Sequence, residues 1–232
     1  MHTELFASGE VAFFQRFARY GYSPKVIYDI GASNGSWSRE IAEIFPDADF
    51  HLFEPLSGHS PKYDEGMRAT LATHAKFTLH SIALGNESGG ATMHVTEDSV
   101  GSSLHPMPSS MAKRIEVPCW RLDEYAAKCA LPAPNVVKMD VQGFEAFVLE
   151  GAGSLIDGAD LLFLETWLTR GYGPNTPLLT ELVQALSPLG FVLVEICGPY
   201  YGEYRELTAV DGFFVSKRLM KQIKEASGGW KW

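Results

Sequence analysis

The segment Lys25–Gly35, with the sequence KVIYDIGASNG, constrains the fold more than any other part of the chain. Its apolar start is rich in residues that favour strands, and it runs through Asp29 into a turn that contains Gly31 and Gly35. The residues that follow have apolar side chains at helical spacing. A strand, a glycine-containing turn and a helix together form the first unit of an α/β nucleotide-binding fold.

The turn departs from the dinucleotide-binding fingerprint G-x-G-x-x-G, because Ser33 stands at the position of the middle glycine. A carboxylate at Asp29 would repel a pyrophosphate but would suit an ammonium group. A ligand with an amino-acid end and a nucleoside end fits both features, and S-adenosylmethionine is such a ligand. The alternative interpretation is a glycine pair that only makes a tight strand-to-helix turn.

A second acidic residue favours a nucleoside ligand. The apolar run 50–53 predicts a second strand, and Glu54 and Pro55 follow it. Glu54 lies about 20 residues after the glycine turn, where an acid at the end of the second strand accepts hydrogen bonds from ribose hydroxyls. The alternative for Glu54 is a solvated acid at a strand end.

Strand-like and helix-like segments alternate along most of the chain, which predicts an α/β fold with a doubly wound, mostly parallel seven-stranded sheet. The third central strand is expected at 76–84. Segments 90–97 and 115–122 interrupt the alternation and predict an inserted antiparallel strand pair, with Pro118 placing its second strand at an edge. The last two central strands lie too close in sequence for a crossover helix and should be antiparallel.

Residues 1–232 are interpreted as a single domain, because no linker or internal repeat is visible. Within it we distinguish an N-terminal helix in 1–22, the inserted strand pair in 88–122 and a tail at 227–232. The hydrophobic content of 46% is enough for a sizeable core.

The chain is acidic, with 19 Lys and Arg against 28 Asp and Glu and a net charge of −9. This balance argues against a nucleic-acid partner and against binding to an anionic membrane surface. No apolar run approaches the roughly 18 residues of a membrane span. Glu4 and Glu10 precede the first Lys or Arg, which does not resemble a signal peptide. Three widely spaced cysteines without a CxxC pair favour a cytoplasmic setting, without a zinc site or a disulfide framework.

Several segments resemble the FkbM-type methyltransferases in their order and spacing over residues 26–166. They are YDIGASNGSWS at 28–38, FEP at 53–55, ALG at 83–85, GSSL at 101–104, VPCWRLDEY at 117–125, KMDVQGFEAFVLEGA at 138–152 and LFLET at 162–166. The resemblance implies the Rossmann-like class I fold, S-adenosylmethionine as cofactor and methylation of oxygen, often a hydroxyl on a sugar or a polyketide-type metabolite. Gln142 departs from the family, which usually has Glu there. If that acid serves a metal or acts as a base, this chain lacks it.

The resemblance also implies the cofactor-binding residues. At the methionine end of the cofactor we expect Asp29, Gly31 and Asn34, and at the ribose Glu54. Bordering the adenine we expect Ser81, Ile82 and Ala83. Near the transferred methyl group we expect Asp140 and Val141. The predicted set is completed by the neighbouring residues Ala32, Gly35 and Pro55.

Methyl transfer from a sulfonium is an in-line displacement, for which a protein supplies alignment and excludes water. Because strand ends share one rim of an open sheet, Asp140 is the first candidate for a general base or acceptor-orienting group, followed by Glu165 and His105. A cap on the following helix is the alternative for Asp140. Asp140 and Glu165 are two hard-cation ligands without a third, so no metal site is predicted. Candidates for the acceptor pocket are His105, Trp167, Tyr172, Tyr200, Tyr201 and Tyr204.

The leading hypothesis is therefore an S-adenosylmethionine-dependent O-methyltransferase acting on a glycan or a small molecule. One alternative is an NAD(P)-binding oxidoreductase, against which Ser33 and Asp29 count. Another is a catalytically silent module that keeps the cofactor fold. The sequence leaves a homo-oligomer open, through the segment 5–20 or the terminal GGWKW.

Overall fold

The computed structural model describes residues 9–59, 61–108 and 110–228. In these ranges helices α1 to α7 run over Glu10–Arg19, Ser36–Ile44, Pro61–Thr73, Leu122–Cys129, Glu145–Ala152, Leu179–Leu186 and Lys217–Ala226. Strands β1 to β10 run over Val26–Ile30, Asp49–Phe53, Phe77–His80, Ala83–Leu84, Gly89–Thr96, Ala112–Trp120, Val136–Met139, Leu161–Trp167, Phe191–Tyr201 and Leu207–Ser216. No helix in the described ranges has the length and apolar character needed to cross a bilayer.

Seven strands form the main sheet, in the order β3-β2-β1-β7-β8-β10-β9. Strands β3, β2, β1, β7 and β8 pair in parallel, whereas β10 pairs antiparallel with both β8 and β9. This arrangement confirms the predicted sheet and its antiparallel final pair. The order of strands reverses between β1 and β7, and in open α/β sheets ligands bind at the carboxyl ends of the strands at such a switch point.

A second sheet has the order β4-β6-β5, and its strands β5 and β6 are antiparallel, as expected for the inserted pair. The expected third strand at 76–84 is divided, because a tight turn in which the Ile82 N–H donates to the His80 carbonyl separates β3 from β4. The expectation that Pro118 marks an edge was wrong, since β6 is the middle strand. Strand β4 pairs only with Cys119 and Trp120, so the missing N–H of Pro118 interrupts no bond to it.

Helices cover both faces of the main sheet. Side chains of α1, α2, α3 and α7 join the core on one face, and those of α4, α5 and α6 join the core on the other. The described part of the expected N-terminal helix is α1, and residues 1–8 and the predicted tail from Gly229 onward lie outside the described ranges. Helix α1 packs through Phe13, Phe14 and Phe17, all fully buried.

The ring of Phe13 stacks on that of Phe213 of β10, with 3.8 Å between ring centroids. Replacing Phe13 by Ala should leave a cavity between α1 and the sheet and reduce the free energy of unfolding by about 3–5 kcal/mol. Urea unfolding of the purified variant measures this loss. The control is Gln15→Ala, at an exposed position of the same helix, which should stay within about 0.5 kcal/mol of wild type. Equal stability of both variants would show that α1 does not depend on this contact.

Candidate active site

The glycine turn brings the end of β1 against the end of β7. The N–H groups of Gly31 and Ala32 donate to the Phe53 carbonyl at the end of β2, at 3.0 and 3.1 Å. Gly31 has φ +76°, and a Cβ at this position would lie 1.8 Å from the backbone oxygen of Asp140. Only glycine therefore permits this approach, which sets the floor of the crevice between β1 and β7.

Glu54 holds the same turn from the neighbouring strand. Its carboxylate accepts hydrogen bonds from the N–H of Ser33 at 2.7 Å and from that of Leu56 at 2.8 Å. Burial raises the pKa of Glu54 to about 7, against the opposing effect of these two N–H groups and of Lys138. Glu54 therefore has a structural task in addition to any contact with a ligand.

A cleft lies above this turn, with Glu54 in its wall. Its polar lining includes Gly31, Ser33, Asp140 and Gln142 from the turn and the rim, and Tyr63, Ser99 and Ser102 from α3 and the loop between β5 and β6. Its apolar lining comes from both sheets and includes Phe53, Pro55, Ile82, Ala83, Leu84, Met93, Val141 and Phe144. A cleft with a carboxylate at one side and an apolar wall suits a nucleoside, whose sugar is polar and whose base has apolar faces.

Asp29 does not line the cleft and is fully buried. It accepts a hydrogen bond from the Ser38 hydroxyl at 2.7 Å and lies 3.2 Å from the Lys138 ammonium. The same ammonium donates to the Gly31 carbonyl at 2.7 Å and lies 3.6 Å from Asp140. Burial lowers the pKa of Lys138, but the carboxylates of Asp29 and Asp140 raise it by more. The pKa of Lys138 therefore lies above its ordinary value.

Asp140 and Glu165 lie on one rim, linked by the side chain of Gln142. The Gln142 amide nitrogen donates to Asp140 at 2.8 Å and to Glu165 at 3.4 Å. The Asp140 side chain is 42% exposed, whereas Glu165 does not line the cleft. Burial, and then the charges of Asp140, Glu145 and Asp211, raise the pKa of Glu165 well above its usual range.

The other predicted site residues lie outside the cleft. His105 is buried, bonds the Gly143 carbonyl through Nε2 at 2.7 Å and packs against Phe144. Asn34 is exposed and its side chain accepts the Ser36 N–H at 3.0 Å. Ala32 and Gly35 are buried in the turn, and Ser81 is exposed. Their roles toward the cofactor or the reaction stay predictions.

An open groove lies beside the cleft, lined by Thr96, Glu97, Asp98, Gly101, Met107, Met111, Trp167, Gly171 and Tyr172. Tyr172 joins the two, because its hydroxyl contacts the Gly101 carbonyl in the groove and the Gln142 side chain in the cleft. Tyr200, Tyr201 and Tyr204 are exposed and line neither the cleft nor the groove. Two of the six candidates for the acceptor pocket thus lie in the groove.

Sequence reasoning missed Lys138, Ser38 and the bonds made by Gln142. The signal for Lys138 was present, since it is the one charged residue in the strand Val136–Met139. A charged side chain in a buried strand needs a partner of opposite charge, and Asp29, in the predicted first strand, could have been named as that partner. Nothing in the spacing of Ser38 or Tyr172 indicated their contacts. In the described part of the chain, no three His, Cys, Asp or Glu side chains are grouped as metal ligands.

Glu54 should make stability depend on pH. Because burial raises its pKa from 4.5 to about 7, the stability that its neutral form contributes is present below pH 4.5 and lost as the pH rises through 7. Glu54→Gln cannot titrate, so it should gain stability relative to wild type between these values and level off above about pH 7. Urea unfolding across this range measures the difference. The exposed variant Glu203→Gln should show no such trend, and a flat difference for Glu54→Gln would contradict the assigned burial effect.

Comparison with known proteins identifies relatives by sequence. The family described as the methyltransferase FkbM domain matches residues 29–199. The 2-O-methyltransferase NoeI of Sinorhizobium fredii (strain NBRC 101917 / NGR234) is 24% identical over 168 residues, which cover 66% of this chain and 68% of that protein. These matches favour neither an oxidoreductase nor a silent module.

Solved structures share the fold. Methyltransferase FkbM from Methylobacillus flagellatus KT superimposes with a TM-score of 0.50 at 18% identity, over 82% of this chain and 43% of that chain. This chain thus spans less than half of that protein. The magnesium protoporphyrin IX methyltransferase ChlM from Synechocystis PCC 6803 with bound SAH gives a TM-score of 0.50 at 13% identity, over 89% and 80% of the two chains.

The residues of the cleft fit the cofactor of such enzymes, since Glu54 offers a buried carboxylate to ribose hydroxyls and Ile82 belongs to an apolar wall for a base. The fold has the strand order of a class I methyltransferase, including the antiparallel final pair. The match over residues 29–199 covers most of the chain. The chain therefore belongs to the FkbM methyltransferase family, with S-adenosylmethionine as its cofactor.

Proposed function

We propose that this chain is a single-domain O-methyltransferase that acts on a hydroxyl group of an uncharged sugar, glycan or small metabolite. The observation that carries the proposal is the position of Asp140. Its carboxylate lines the same cleft as Gly31 and Glu54, and its side chain is partly exposed at the rim. A carboxylate there can accept the proton of a hydroxyl that enters from the groove.

Each residue has a distinct task in the proposed reaction. Bound S-adenosylmethionine supplies an electrophilic methyl group on a sulfonium. Glu54 would hold the ribose, and Ile82 would pack against the base. Asp140 would orient the acceptor hydroxyl and take its proton, a contribution typically of 10²–10⁴-fold in rate. Trp167 and Tyr172 would hold the apolar face of a ring-shaped acceptor in the groove.

The charge of the lining supports an uncharged acceptor. Among the described residues, the charged side chains that line the cleft and the groove are Glu54, Asp140, Glu97 and Asp98, all carboxylates. A phosphorylated or carboxylated acceptor would approach these groups against electrostatic repulsion. Lys138, the nearby cation, is buried and already paired with Asp29 and Asp140.

The relative from Sinorhizobium fredii supports transfer to oxygen, since its name describes a 2-O-methyltransferase. At 24% identity this support concerns the kind of atom methylated and not the acceptor itself. The acceptor class rests on the charge and the aromatic residues of the groove.

The test is transfer from methyl-labelled S-adenosylmethionine to a panel of sugars in matched pairs, each a methyl glycoside and its 6-phosphate or uronic acid. The neutral member of a pair should be methylated in preference to the anionic one. With the acceptor so found, Asp140→Asn should lower kcat by about 10²–10⁴-fold and leave the cofactor Kd within about threefold.

The control is Glu203→Gln, an exposed carboxylate on the turn between β9 and β10, which should keep full activity. Full turnover by Asp140→Asn would remove this residue from the mechanism. Preference for the anionic sugars would reject the charge argument. Tight cofactor binding without methylation of any sugar would favour the silent module.

A further inference from the structure

Gln142 occupies a strained backbone position directly after β7. Its φ is +55°, in the left-handed region that is unfavourable for a residue with a side chain. The next residue, Gly143, has φ +88°, and a Cβ there would lie 3.0 Å from the ring of Tyr172. A non-glycine residue keeps such a conformation only where surrounding contacts hold it, and such positions concentrate at functional sites.

The side chain of Gln142 connects the rim to the groove. Its amide nitrogen donates to Asp140 at 2.8 Å and to Glu165 at 3.4 Å. Its amide oxygen accepts a hydrogen bond from the Tyr172 hydroxyl. Its backbone carbonyl accepts from the Ser103 hydroxyl at 2.8 Å, which ties the rim to the loop of the inserted strands. The amide nitrogen, the amide oxygen and the backbone carbonyl of Gln142 thus bond to different segments of the chain.

Tyr172 lies on the oxygen side of the Gln142 amide. Burial, followed by the charges of Glu165 and Asp140, raises the pKa of Tyr172, so its hydroxyl keeps its proton and donates it. The Gln142 amide oxygen accepts from this hydroxyl, which also lies 3.2 Å from the Gly101 carbonyl, and with the oxygen toward Tyr172 the NH₂ group faces the carboxylates. An ionised carboxylate only accepts hydrogen bonds, so this is the orientation in which Asp140 and Gln142 attract each other.

The surroundings explain why an amide stands here and not an acid. Carboxyl groups face the rim from α1, α5, β8 and β10, and they are Glu10, Glu145, Glu165 and Asp211. Burial raises the pKa of Glu145 to about 8 and that of Asp211 to about 7. Glu145 and Glu165 each have one buried oxygen without a hydrogen-bond partner. Lys138 opposes the upward pKa shifts of Glu10, Glu165 and Asp211. A carboxylate at position 142 would add electrostatic repulsion to these carboxyl groups, and Lys138 is already paired with Asp29 and Asp140.

We propose that Gln142 is a positioning residue that holds the Asp140 carboxylate in one orientation at the mouth of the cleft, and that Tyr172 locks the Gln142 amide in place. The proposal rests on the methyl-transfer function proposed above and adds to it a connection from the groove to the reacting rim. The Gln142 side chain acts through Asp140.

A double-mutant cycle between Gln142→Glu and Asp140→Asn tests the contact without cofactor or acceptor. Gln142→Glu should destabilise the protein increasingly as the pH rises from 5 to 8, since the new carboxylate ionises beside the existing ones. In the Asp140→Asn background this pH-dependent loss should fall to half or less. The matched control is Gln184→Glu, which adds the same charge at an exposed position of α6 and should show no such trend. A loss that is independent of pH, or unchanged by Asp140→Asn, would overturn the contact.

The positioning role is tested by kinetics with the acceptor found above. Gln142→Met, which keeps the length but removes the amide, should lower kcat by about 10–100-fold with little change in acceptor KM, and Tyr172→Phe should lower it less. Unchanged kcat in Gln142→Met would reduce the residue to a structural one and reject the proposal. Calorimetric titration with S-adenosylhomocysteine reports separately on the cofactor site. Absence of binding in wild type would reject the proposed function, while the result of the cycle would still decide the contact.

Discussion

The site depends on one buried cation. Lys138 contacts Asp29 in β1, Asp140 after β7 and the carbonyl of Gly31 in the turn, so a single ammonium joins the glycine turn to the rim that carries Asp140. Removing one partner from such a buried group typically costs about 3–5 kcal/mol, because a charge is left without compensation. The close approach of Gly31 to the Asp140 backbone adds a steric constraint at the same place. The two strand ends therefore cannot move independently.

Carboxyl groups outnumber this cation around the crevice. Burial raises the pKa values of Glu54, Glu145 and Asp211 toward or above neutrality, so the folded protein pays in stability for keeping them there. A cationic cofactor offsets part of that cost when it binds, because a sulfonium is attracted to a region of negative potential. The proposed preference for an uncharged acceptor rests on the same uneven distribution of charge.

Sequence patterns predicted the parallel sheet, the antiparallel final strands and the inserted pair, because these depend on local periodicity and on short connections. They also indicated Gly31, Glu54 and Asp140, which the structure brings to one cleft. The prediction that Pro118 lies in an edge strand was wrong because β4 pairs with β6. Strand β4 separates from β3 at a tight turn that no sequence pattern indicates. The sequence offered Trp167, Tyr172, Tyr200 and Tyr201 alike as candidates for the acceptor pocket. Only the tertiary structure shows that the first two line the groove and the last two do not.

The sequence by itself determined the glycine turn, the fold class and the family. The turn is carried by residues close together in the chain, the fold class by the alternation of strand-like and helix-like segments, and the family by the order and spacing of short motifs over residues 26–166. Tertiary structure alone decided that Asp29 is covered and faces Lys138, and that Gln142 lies between Asp140, Glu165 and Tyr172. These contacts join segments up to about a hundred residues apart, and their energies come from burial and from distances of a few ångströms. Neither quantity is encoded in spacing along the chain.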